Sequence, residues 1–415
     1  MFKEYIPKKT SVFSHRLLTM CRITLITLFA CGWASLATTE YACKMSNIDF
    51  CTCKEYDVRF SNETWDTSPD ANPLEAVAPT TIPRTRDPYK QIIINCNLVN
   101  CTNYYSSSLE KLASSLYRKW VDKLFIERVP LEKEMVVARF PNLWLKDVRI
   151  KQFEVGHSKL AGDFIWKGNP FAGQNHTLIW FAAINCSLAG SLTYDTLGTA
   201  NTRGLDELPR LQSLDLSQNQ LVSIETSAFG HTHPRLKTIV LSKNIIEQVS
   251  PGAFSNLTRL QHIDLSHNVM DSISREIFSE EPKALRRINL SWNRLQILRK
   301  DIFSNMPALR VLDVSNNFLF SMPEEPWNSI WWQLQMIDVS NNFVECDCEL
   351  LWLVSNSTMT EEVIPKMKIK GRCFRSLPSL LVRHYDLAGL TKDKLDCNLD
   401  DDNGRDTEYD FYFLG

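Results

Sequence analysis

The segment Leu260-Gln-His-Ile263-Asp-Leu265-Ser-His-Asn268-Val-Met270 decides the fold of this chain. Its pattern is Leu-x-x-Leu-x-Leu-x-x-Asn-x-Leu, with other aliphatic residues at some Leu positions, and it occurs six times in succession. The copies start at Leu211, Leu236, Leu260, Leu285, Leu309 and Leu334, so the steps are 25, 24, 25, 24 and 25 residues. Because a unit this short cannot bury its apolar face alone, successive units must stack into a solenoid.

One unit predicts the local structure of all six. The alternation of Ile263 and Leu265 places two apolar side chains on one face of a short strand. Asn268 follows where the backbone leaves the strand, and we expect its amide to bond the backbone groups that a buried turn leaves without partners. Its equivalents should form an inner column: Asn219, Asn244, Asn293, Asn317 and Asn342. An aromatic residue eighteen positions after a unit start predicts a second stacked column: Phe229, Phe254, Phe278, Phe303 and Trp327.

Weaker copies of the pattern extend the stack toward the N-terminus, over residues 102–210. They are Val121-x-x-Leu124-x-Ile126, Leu145-x-x-Val148-x-Ile150 and Leu178-x-x-Phe181-x-Ala183. The steps from 145 to 178 and from 178 to 211 are each 33 residues, which predicts insertions in two repeats. Residues 89–97, Tyr89-x-x-Ile92-x-Ile94-x-x-Asn97, are predicted to form the strand that starts the stack. Residues 109–117 are predicted to be helical, with their leucines on one stripe.

Both termini carry segments that we expect to lie outside the fold. Residues 1–37 combine a basic stretch with an apolar run at 23–34 and small residues after it, which indicates a secretory signal peptide; a signal anchor is the alternative. No later segment is long or apolar enough to span a bilayer. Residues 398–415 are acidic and predicted to be disordered, with sulfation of Tyr409 as an alternative role.

The cysteines predict a disulfide-bonded cap at each end of the solenoid. Cys346, Cys348, Cys373 and Cys397 follow the last repeat and define a C-terminal cap at 345–397, whereas Cys43, Cys51, Cys53 and Cys96 define an N-terminal cap at 38–101. An exported chain favours disulfides over a zinc site.

A Pro-rich insert at 54–88 is predicted to be an extended linker, with a protease site or glycosylated stalk as alternatives. Cys186 replaces Asn in its repeat and is expected to be buried and free, while Cys101 has no obvious partner.

The repeats resemble the typical 24-residue class of leucine-rich repeats in Toll-like receptors, Slit and small extracellular proteins, and residues 346–397 resemble their C-terminal flanking domain. The resemblance implies an α/β solenoid: a right-handed horseshoe with short parallel strands on the concave face and disulfide-bonded caps. It also implies the pairs Cys346–Cys373 and Cys348–Cys397. Ala42-Cys43, Cys51-Thr-Cys53 and Ile93-Ile94-Asn95-Cys96 are similar to secreted arthropod proteins labelled as like the non-catalytic subunit of a shrimp luciferin monooxygenase. The long stretch from Glu55 to Pro88 departs from the usual cap.

Seven Asn-x-Ser/Thr motifs are candidate glycosylation sites in a secreted chain. They are Asn62, Asn100, Asn175, Asn185, Asn256, Asn289 and Asn356. Asn289 lies within a predicted strand and faces the concave side, where a glycan would block the centre of the surface. The alternative is that this motif is unused.

The outward strand positions predict a ligand patch on the concave face. Its candidate residues are His262, His267, Arg287 and Trp292, with Lys243, Asp264 and Asp313. Aromatic and Arg side chains are the types that anchor interfaces. The alternative is that Leu-Asp-Leu-Ser is simply the sequence that this repeat class commonly has. That would explain the Asp and Ser columns, but it would not explain His262, Arg287, His267 and Trp292.

The chain lacks the motifs of an enzyme or a nucleic-acid-binding protein. There is no Gly-x-Ser-x-Gly, His-Glu-x-x-His or Gly-rich phosphate loop, and no metal or other cofactor is expected. The formal charge is −2, without a basic stripe. We therefore predict an extracellular binding scaffold that presents its concave surface to a protein or glycan. The alternatives are a non-catalytic subunit of a secreted enzyme and Toll-like recognition of microbial patterns.

Overall fold

The computed structural model describes residues 51–57, 90–98, 105–129, 140–160, 169–193, 205, 208–226, 228–230, 233–357, 368–376 and 381–397. Seventeen strands occur in this part of the chain. They are β1 (Cys51–Asp57), β2 (Lys90–Asn97), β3 (Trp120–Glu127), β4 (Arg149–Gly156), β5 (Trp180–Ile184), β6 (Ala189–Leu192), β7 (Ser213–Asp215), β8 (Gln220–Ile224), β9 (Thr238–Val240), β10 (Gln248–Val249), β11 (His262–Asp264), β12 (Arg287–Asn289), β13 (Val311–Asp313), β14 (Met336–Asp338), β15 (Lys368–Lys370), β16 (Arg372–Ser376) and β17 (Val382–Asp386).

One sheet of twelve strands runs through the whole stack, in the order β1-β2-β3-β4-β5-β7-β9-β11-β12-β13-β14-β15. All neighbours in it are parallel except β1 and β2, which are antiparallel. The described helices are α1 (Tyr105–Ser115), α2 (Glu324–Trp327) and α3 (Leu351–Ser357). The predicted solenoid of short parallel strands is therefore confirmed, and most of the described return segments are turns.

The inner asparagine column is confirmed, and it is the main polar support of the turns. Asn268 donates from Nδ2 to the carbonyls of Leu241, Leu265 and Ser266 at 3.1, 2.9 and 3.2 Å, and its Oδ1 accepts from the backbone N–H of Ile246 at 2.9 Å. The other five asparagines repeat this arrangement. Each amide therefore ties its own repeat to the preceding one.

The aromatic column is confirmed as well. The rings of Phe229 and Phe254 stack at 5.6 Å, those of Phe254 and Phe278 at 6.1 Å, and Phe303 contacts Trp327 at 5.7 Å. All five side chains are buried. Aromatic pairs at these separations are attractive beyond their buried area, so the column links the backs of successive repeats.

The predicted frame of the repeat around residue 150 is wrong by five residues. Strand β4 pairs Phe153 with Phe181 and Val155 with Ala183, so its repeat is Ile150-x-x-Phe153-x-Val155. Leu145 and Val148 instead lie in the preceding turn, where the buried Gln174 side chain bonds their carbonyls. The sequence of this turn resembles a repeat because the turn also has apolar residues on one side. With the corrected start, the step to Leu178 is 28 residues, and only the step from 178 to 211 keeps 33.

The N-terminal end of the sheet also differs from expectation. Ile94 pairs with Leu124, so the predicted repeat frame of this strand starts two residues too early. The edge of the sheet is formed by β1 and not by β2. Lys54 to Asp57 belong to β1, so the predicted Pro-rich insert starts later than residue 54. Backbone pairing with β2 provides these residues with hydrogen bonds that composition does not predict.

Disulfides close both ends of the stack. Cys346 pairs with Cys373 and Cys348 with Cys397, as the resemblance implied, and Cys51 pairs with Cys96. Cys53 is also disulfide-bonded, whereas Cys43 and Cys101 lie outside the described residues. The signal segment, residues 58–88 of the insert and the acidic tail lie outside them too. In the C-terminal cap, β15 adds a parallel strand to β14, and β16 pairs with β17 as an antiparallel hairpin.

Cys186 is free and buried, as predicted, and burial raises the pKa of its thiol to about 12. Its Sγ lies 3.4 Å from the Val155 carbonyl of the preceding repeat, so the thiol partly replaces the asparagine amide. Ser158 occupies the same position one repeat earlier, where its hydroxyl accepts from the Val129 N–H and donates to the Gly156 carbonyl. The polar column thus continues through the degenerate repeats with smaller groups.

A second sheet was not predicted from the sequence. Strands β6, β8 and β10 form it, in parallel, directly after the turns that follow the main strands. Its three strands belong to the three successive repeats at the junction between the degenerate and regular parts of the stack.

Candidate functional site

The sheet face is formed by the outward side chains of the twelve-stranded sheet, and four predicted ligand residues lie on it. His262 lies beside Arg287 on the next strand, and Asp264 lies two residues along from His262 on the same face. Asp313 lies one strand beyond Asn289, which separates it from Asp264. Asp264 is only 4% exposed, although its strand position points outward. Neighbouring atoms therefore cover the centre of the sheet face.

The aspartates have a structural role at the strand ends. In Asp264, Oδ1 accepts from the Ser266 backbone N–H at 2.9 Å, and Asp313 does the same with Ser315. Burial raises the pKa of both carboxyl groups, while the hydrogen bonds from the serines oppose this shift. Asn289 occupies the equivalent position and accepts from Ser291 in the same way. The common Leu-Asp-Leu-Ser sequence of this repeat class therefore explains why Asp occupies these positions. One carboxylate oxygen of each aspartate bonds the serine of its own turn.

His262 is neutral over the physiological pH range. Burial, together with the positive charges of Arg287 and Arg286, lowers its pKa to about 4. Arg287 is half-buried, and among the described residues its guanidinium makes no ion pair. This part of the face therefore holds a fixed positive charge beside an uncharged imidazole.

The remaining predicted residues lie on a second surface, which we call the lateral flank. It consists of the residues immediately before and after each inner asparagine, where the chain leaves the strand. Lys243, His267 and Trp292 precede their asparagines and have φ values of 56°, 53° and 56°, in the left-handed region. The rings of His267 and Trp292 stack at 5.1 Å with an interplanar angle of 10°. The predicted patch therefore falls into two adjoining groups.

The lateral flank also carries apolar residues that the sequence analysis missed. Phe318 and Phe343 follow their asparagines, are 47% and 55% exposed, and stack at 6.0 Å with an interplanar angle of 2°. Ile245 takes the same place nearer the N-terminus, and Trp292 is 54% exposed. The position after Asn varies between repeats, and that variation is the signal that could have identified them.

The candidate glycosylation motifs have different surroundings. Asn175 and Asn185 are exposed, Asn256 is half-buried, and Asn356 lies on α3. Asn289 is half-buried with its Oδ1 held by Ser291, so its amide is less accessible than that of Asn175. Asn62 and Asn100 lie outside the described residues.

No group of three or more His, Cys, Asp or Glu side chains in the described part of the chain could hold a metal ion. Within the same part, no helix has the length and apolarity required to cross a bilayer.

Replacing His262 with Gln should make stability less sensitive to acid. Since the folded pKa of His262 is about 4 and its ordinary value is 6.5, the unfolded chain binds more protons between these values, and stability falls as pH decreases through this range. The shift corresponds to about 3 kcal/mol. Urea denaturation at pH 7 and pH 4 should show His262→Gln losing about 3 kcal/mol less than the wild type. Equal losses would contradict a half-buried, neutral imidazole.

The comparisons with known proteins agree with the repeat geometry. A family model described as leucine rich repeat matches residues 209–270, 234–295 and 269–319. These matches cover the first four regular repeats and the beginning of the fifth, including the candidate residues from Lys243 to Asp313. A search among curated proteins found no match. The repeated strand, the asparagine turn and the family match together show that residues 209–319 consist of leucine-rich repeats.

Proposed function

We propose that this protein is an extracellular binding scaffold that anchors a protein partner on its lateral flank. The observation that carries the proposal is that Trp292, Phe318 and Phe343 are each about half exposed beside the asparagine turns of three successive repeats, where Phe318 stacks on Phe343. Leucine-rich repeats generally serve as protein-binding scaffolds, and contiguous exposed apolar surface marks interaction sites. Trp and other aromatic side chains dominate the binding energy of such interfaces.

The backbone at Trp292 supports this choice of surface. A bulky residue at φ 56° is unusual, and backbone strain of this kind is found where the surrounding structure fixes the conformation. Here the turn imposes it on every regular repeat, since Gln218, Lys243, His267, Asn316 and Asn341 share it. The turn thus holds whichever side chain occupies the position in one orientation, which lowers the conformational entropy lost on binding.

The extracellular location rests on the cysteines. The bonded pairs Cys51–Cys96, Cys346–Cys373 and Cys348–Cys397 persist in oxidising compartments and are rare in the cytosol. The signal segment predicted at 1–37 agrees with export. We also propose that the protein binds its partner without catalysing a reaction. A surface built from stacked aromatic and short polar side chains supports this role.

Replacing Trp292 with Ala should weaken binding to the principal partner by more than about 1 kcal/mol, because a half-exposed aromatic anchor loses most of its contact area. The partner would be captured by the secreted full-length protein under non-reducing conditions and measured by surface plasmon resonance. Phe343→Ala should have a similar effect, and the double variant should abolish detectable capture.

The matched control is Trp332→Ala, since Trp332 is 53% exposed but lies outside the lateral flank. It should bind like the wild type. If Trp332→Ala weakened binding while Trp292→Ala and Phe343→Ala did not, the lateral flank would not be the interface.

A further inference from the structure

A cleft of about 570 Å³ lies between the last regular repeat and the C-terminal cap. One wall is the turn of that repeat, which contains Phe343, and the other wall is the hairpin of β16 and β17. In the hairpin, Arg372 pairs with Asp386 and Phe374 pairs with His384, so these four side chains share the face toward the cleft. Clefts of roughly 300–1,000 Å³ are typical of binding sites.

The side chains that line this cleft are accessible to an occupant. Phe343 is 55% exposed, and Arg372, His384 and Asp386 are exposed as well. Arg372 Nε donates to Asp386 Oδ1 at 2.8 Å, and the terminal nitrogens of its guanidinium can still donate to a second acceptor. Phe343 and the half-buried Phe374 provide apolar walls. The cleft therefore combines aromatic surface with hydrogen-bond donors for a carboxylate.

The hairpin also presents a free strand edge beside the cleft. Among the described residues, β16 is the only strand that pairs with β17. Leu381 and Val382, where that edge begins, are 61% and 54% exposed. Natural proteins usually cover or charge such an edge, because its unpaired N–H and C=O groups bind other extended chains. The edge of β17 can therefore hold the backbone of an extended segment.

The distribution of charge in the cap favours an acidic occupant. Residues 368–397, which include β15 to β17, carry seven Lys or Arg and three Asp, a net charge of +4. Residues 345–367 carry one Lys and five Asp or Glu, a net charge of −4. The acidic tail, residues 398–415, carries six Asp or Glu and one Arg, a net charge of −5. The strand side of the cap therefore attracts the tail, and the other side repels it.

The acidic tail begins close to the cleft. Cys397 is disulfide-bonded to Cys348, and the N–H of Asp396 donates to the Cys346 carbonyl at 2.8 Å. The N–H of Cys346 in turn donates to the Phe374 carbonyl at 2.8 Å, so two strand spacings, about 10 Å, separate the start of the tail from β16. The tail spans roughly 60 Å when extended, which is ample to reach the cleft. A tether of this length gives an effective concentration on the order of millimolar, at which weak contacts are populated.

We propose that the cleft binds the acidic tail of the same chain. The segment that enters it is 409–413, Tyr-Asp-Phe-Tyr-Phe, whose alternate aromatic side chains lie on one side of an extended backbone. These rings pack against Phe343 and Phe374, the backbone bonds the edge of β17, and a carboxylate of the tail accepts from Arg372.

Docking of the tail has a consequence for the lateral flank. Phe343 lines the cleft and also belongs to the lateral flank, so the docked tail covers one end of that surface. A protein partner must then displace the tail to reach Phe343, and the tail regulates access. This consequence rests on the proposed function, whereas the docking itself does not.

Hydrogen exchange of the whole chain, followed by mass spectrometry, tests the docking. A synthetic peptide of residues 398–415 supplies the exchange rate of the unbound tail. In the whole chain, the amides of 409–413 should exchange at least about tenfold more slowly than in the peptide, because bound amides are shielded. Phe343→Ala and Arg372→Gln should each raise the exchange rate of these amides at least about threefold. Molar salt should also raise it, because it screens the charges.

Trp332→Ala and Arg299→Gln are the matched controls. Trp332 is an exposed aromatic residue outside the cleft, and Arg299 is an exposed arginine whose Nε lies 3.5 Å from Asp301 Oδ1. Neither substitution should change exchange of the tail. The proposal is overturned if 409–413 exchange as fast in the whole chain as in the peptide, or if their protection persists in both cleft variants. Protection that disappears on dilution would assign the docked tail to a second copy of the chain and would also overturn it.

The exchange experiment contains no protein partner, so its failure and the failure of the proposed function are distinguishable. Absence of protection would remove the docked tail and leave the role of the lateral flank intact. Unchanged capture of the partner by Trp292→Ala would remove the role of the lateral flank and leave the docked tail intact.

Discussion

Asn268→Ala is expected to lower the free energy of unfolding by about 4 kcal/mol, the largest effect of a single substitution outside the apolar core. The Asn268 amide bonds the carbonyls of Leu241, Leu265 and Ser266 and the N–H of Ile246. With Asn268 only 6% exposed, solvent cannot replace these bonds. Each buried backbone group left unpaired costs about 1 kcal/mol or more. The shift in the midpoint of urea denaturation, at an unchanged slope, measures this loss.

The chain itself offers a graded control for this substitution. Cys186 stands in the same position of an earlier repeat and keeps contact with the Val155 and Ile184 carbonyls. Asn268→Cys should therefore be less damaging than Asn268→Ala. Asn328→Ala, at an exposed side chain outside the column, should change stability by less than about 0.5 kcal/mol. A cost below about 1 kcal/mol for Asn268→Ala would show that the column does not support the turns.

Where the repeat is regular, its sequence specifies the structure closely. Leu260, Ile263 and Leu265 face the core as predicted, because the period of two within the strand and the turn at Asn268 leave one way to bury them. The same units repeat at nearly constant spacing, so a frame assigned to one repeat transfers to its neighbours. The pairing His262 with Arg287 follows directly from that frame.

Where the repeat is degenerate, two different physical reasons caused the errors. In β2, Ile92, Ile94 and Cys96 all face the core, so a shift of two residues keeps every side chain on its side and the pattern alone cannot fix the register. Around β4, the turn before the strand buries Leu145 and Val148. The useful signal was the polar position: the correct frame places Ser158, and not Phe153, at the turn that needs a hydrogen-bonding side chain.

The candidate site was predicted in residue type better than in geometry. Trp292 and His267 do form one exposed stack, but Asp264 is buried, because adjacent strands about 4.8 Å apart shield short side chains between longer ones. Phe318 and Phe343 were missed because they follow the asparagine and are not outward strand positions. Their exposure depends on the direction of the chain after the turn, which the periodicity does not encode.

Removing the disulfide between Cys346 and Cys373 by a double substitution to Ala should lower the free energy of unfolding by about 3.5 kcal/mol. The two residues are separated by 27 positions, and loop closure of that length in the unfolded chain accounts for this value. Both cysteines are buried, and they join the end of the last repeat to β16. Because the cap also adds β15 to the sheet, its loss should expose the last strand, β14. Hydrogen exchange of Met336–Asp338 should therefore accelerate.

Cys186→Ser provides the matched control, since it removes a buried cysteine without opening a loop and substitutes the group that Ser158 uses at the same position. It should cost about 1 kcal/mol and leave the exchange of β14 unchanged. The protective role of the cap depends on β14 being an edge strand once β15 is released, because unpaired edges expose their backbone groups. If the double variant unfolded at the wild-type midpoint, or if its β14 amides kept their protection, the solenoid would be sealed by packing alone and the disulfide would not hold the cap in place.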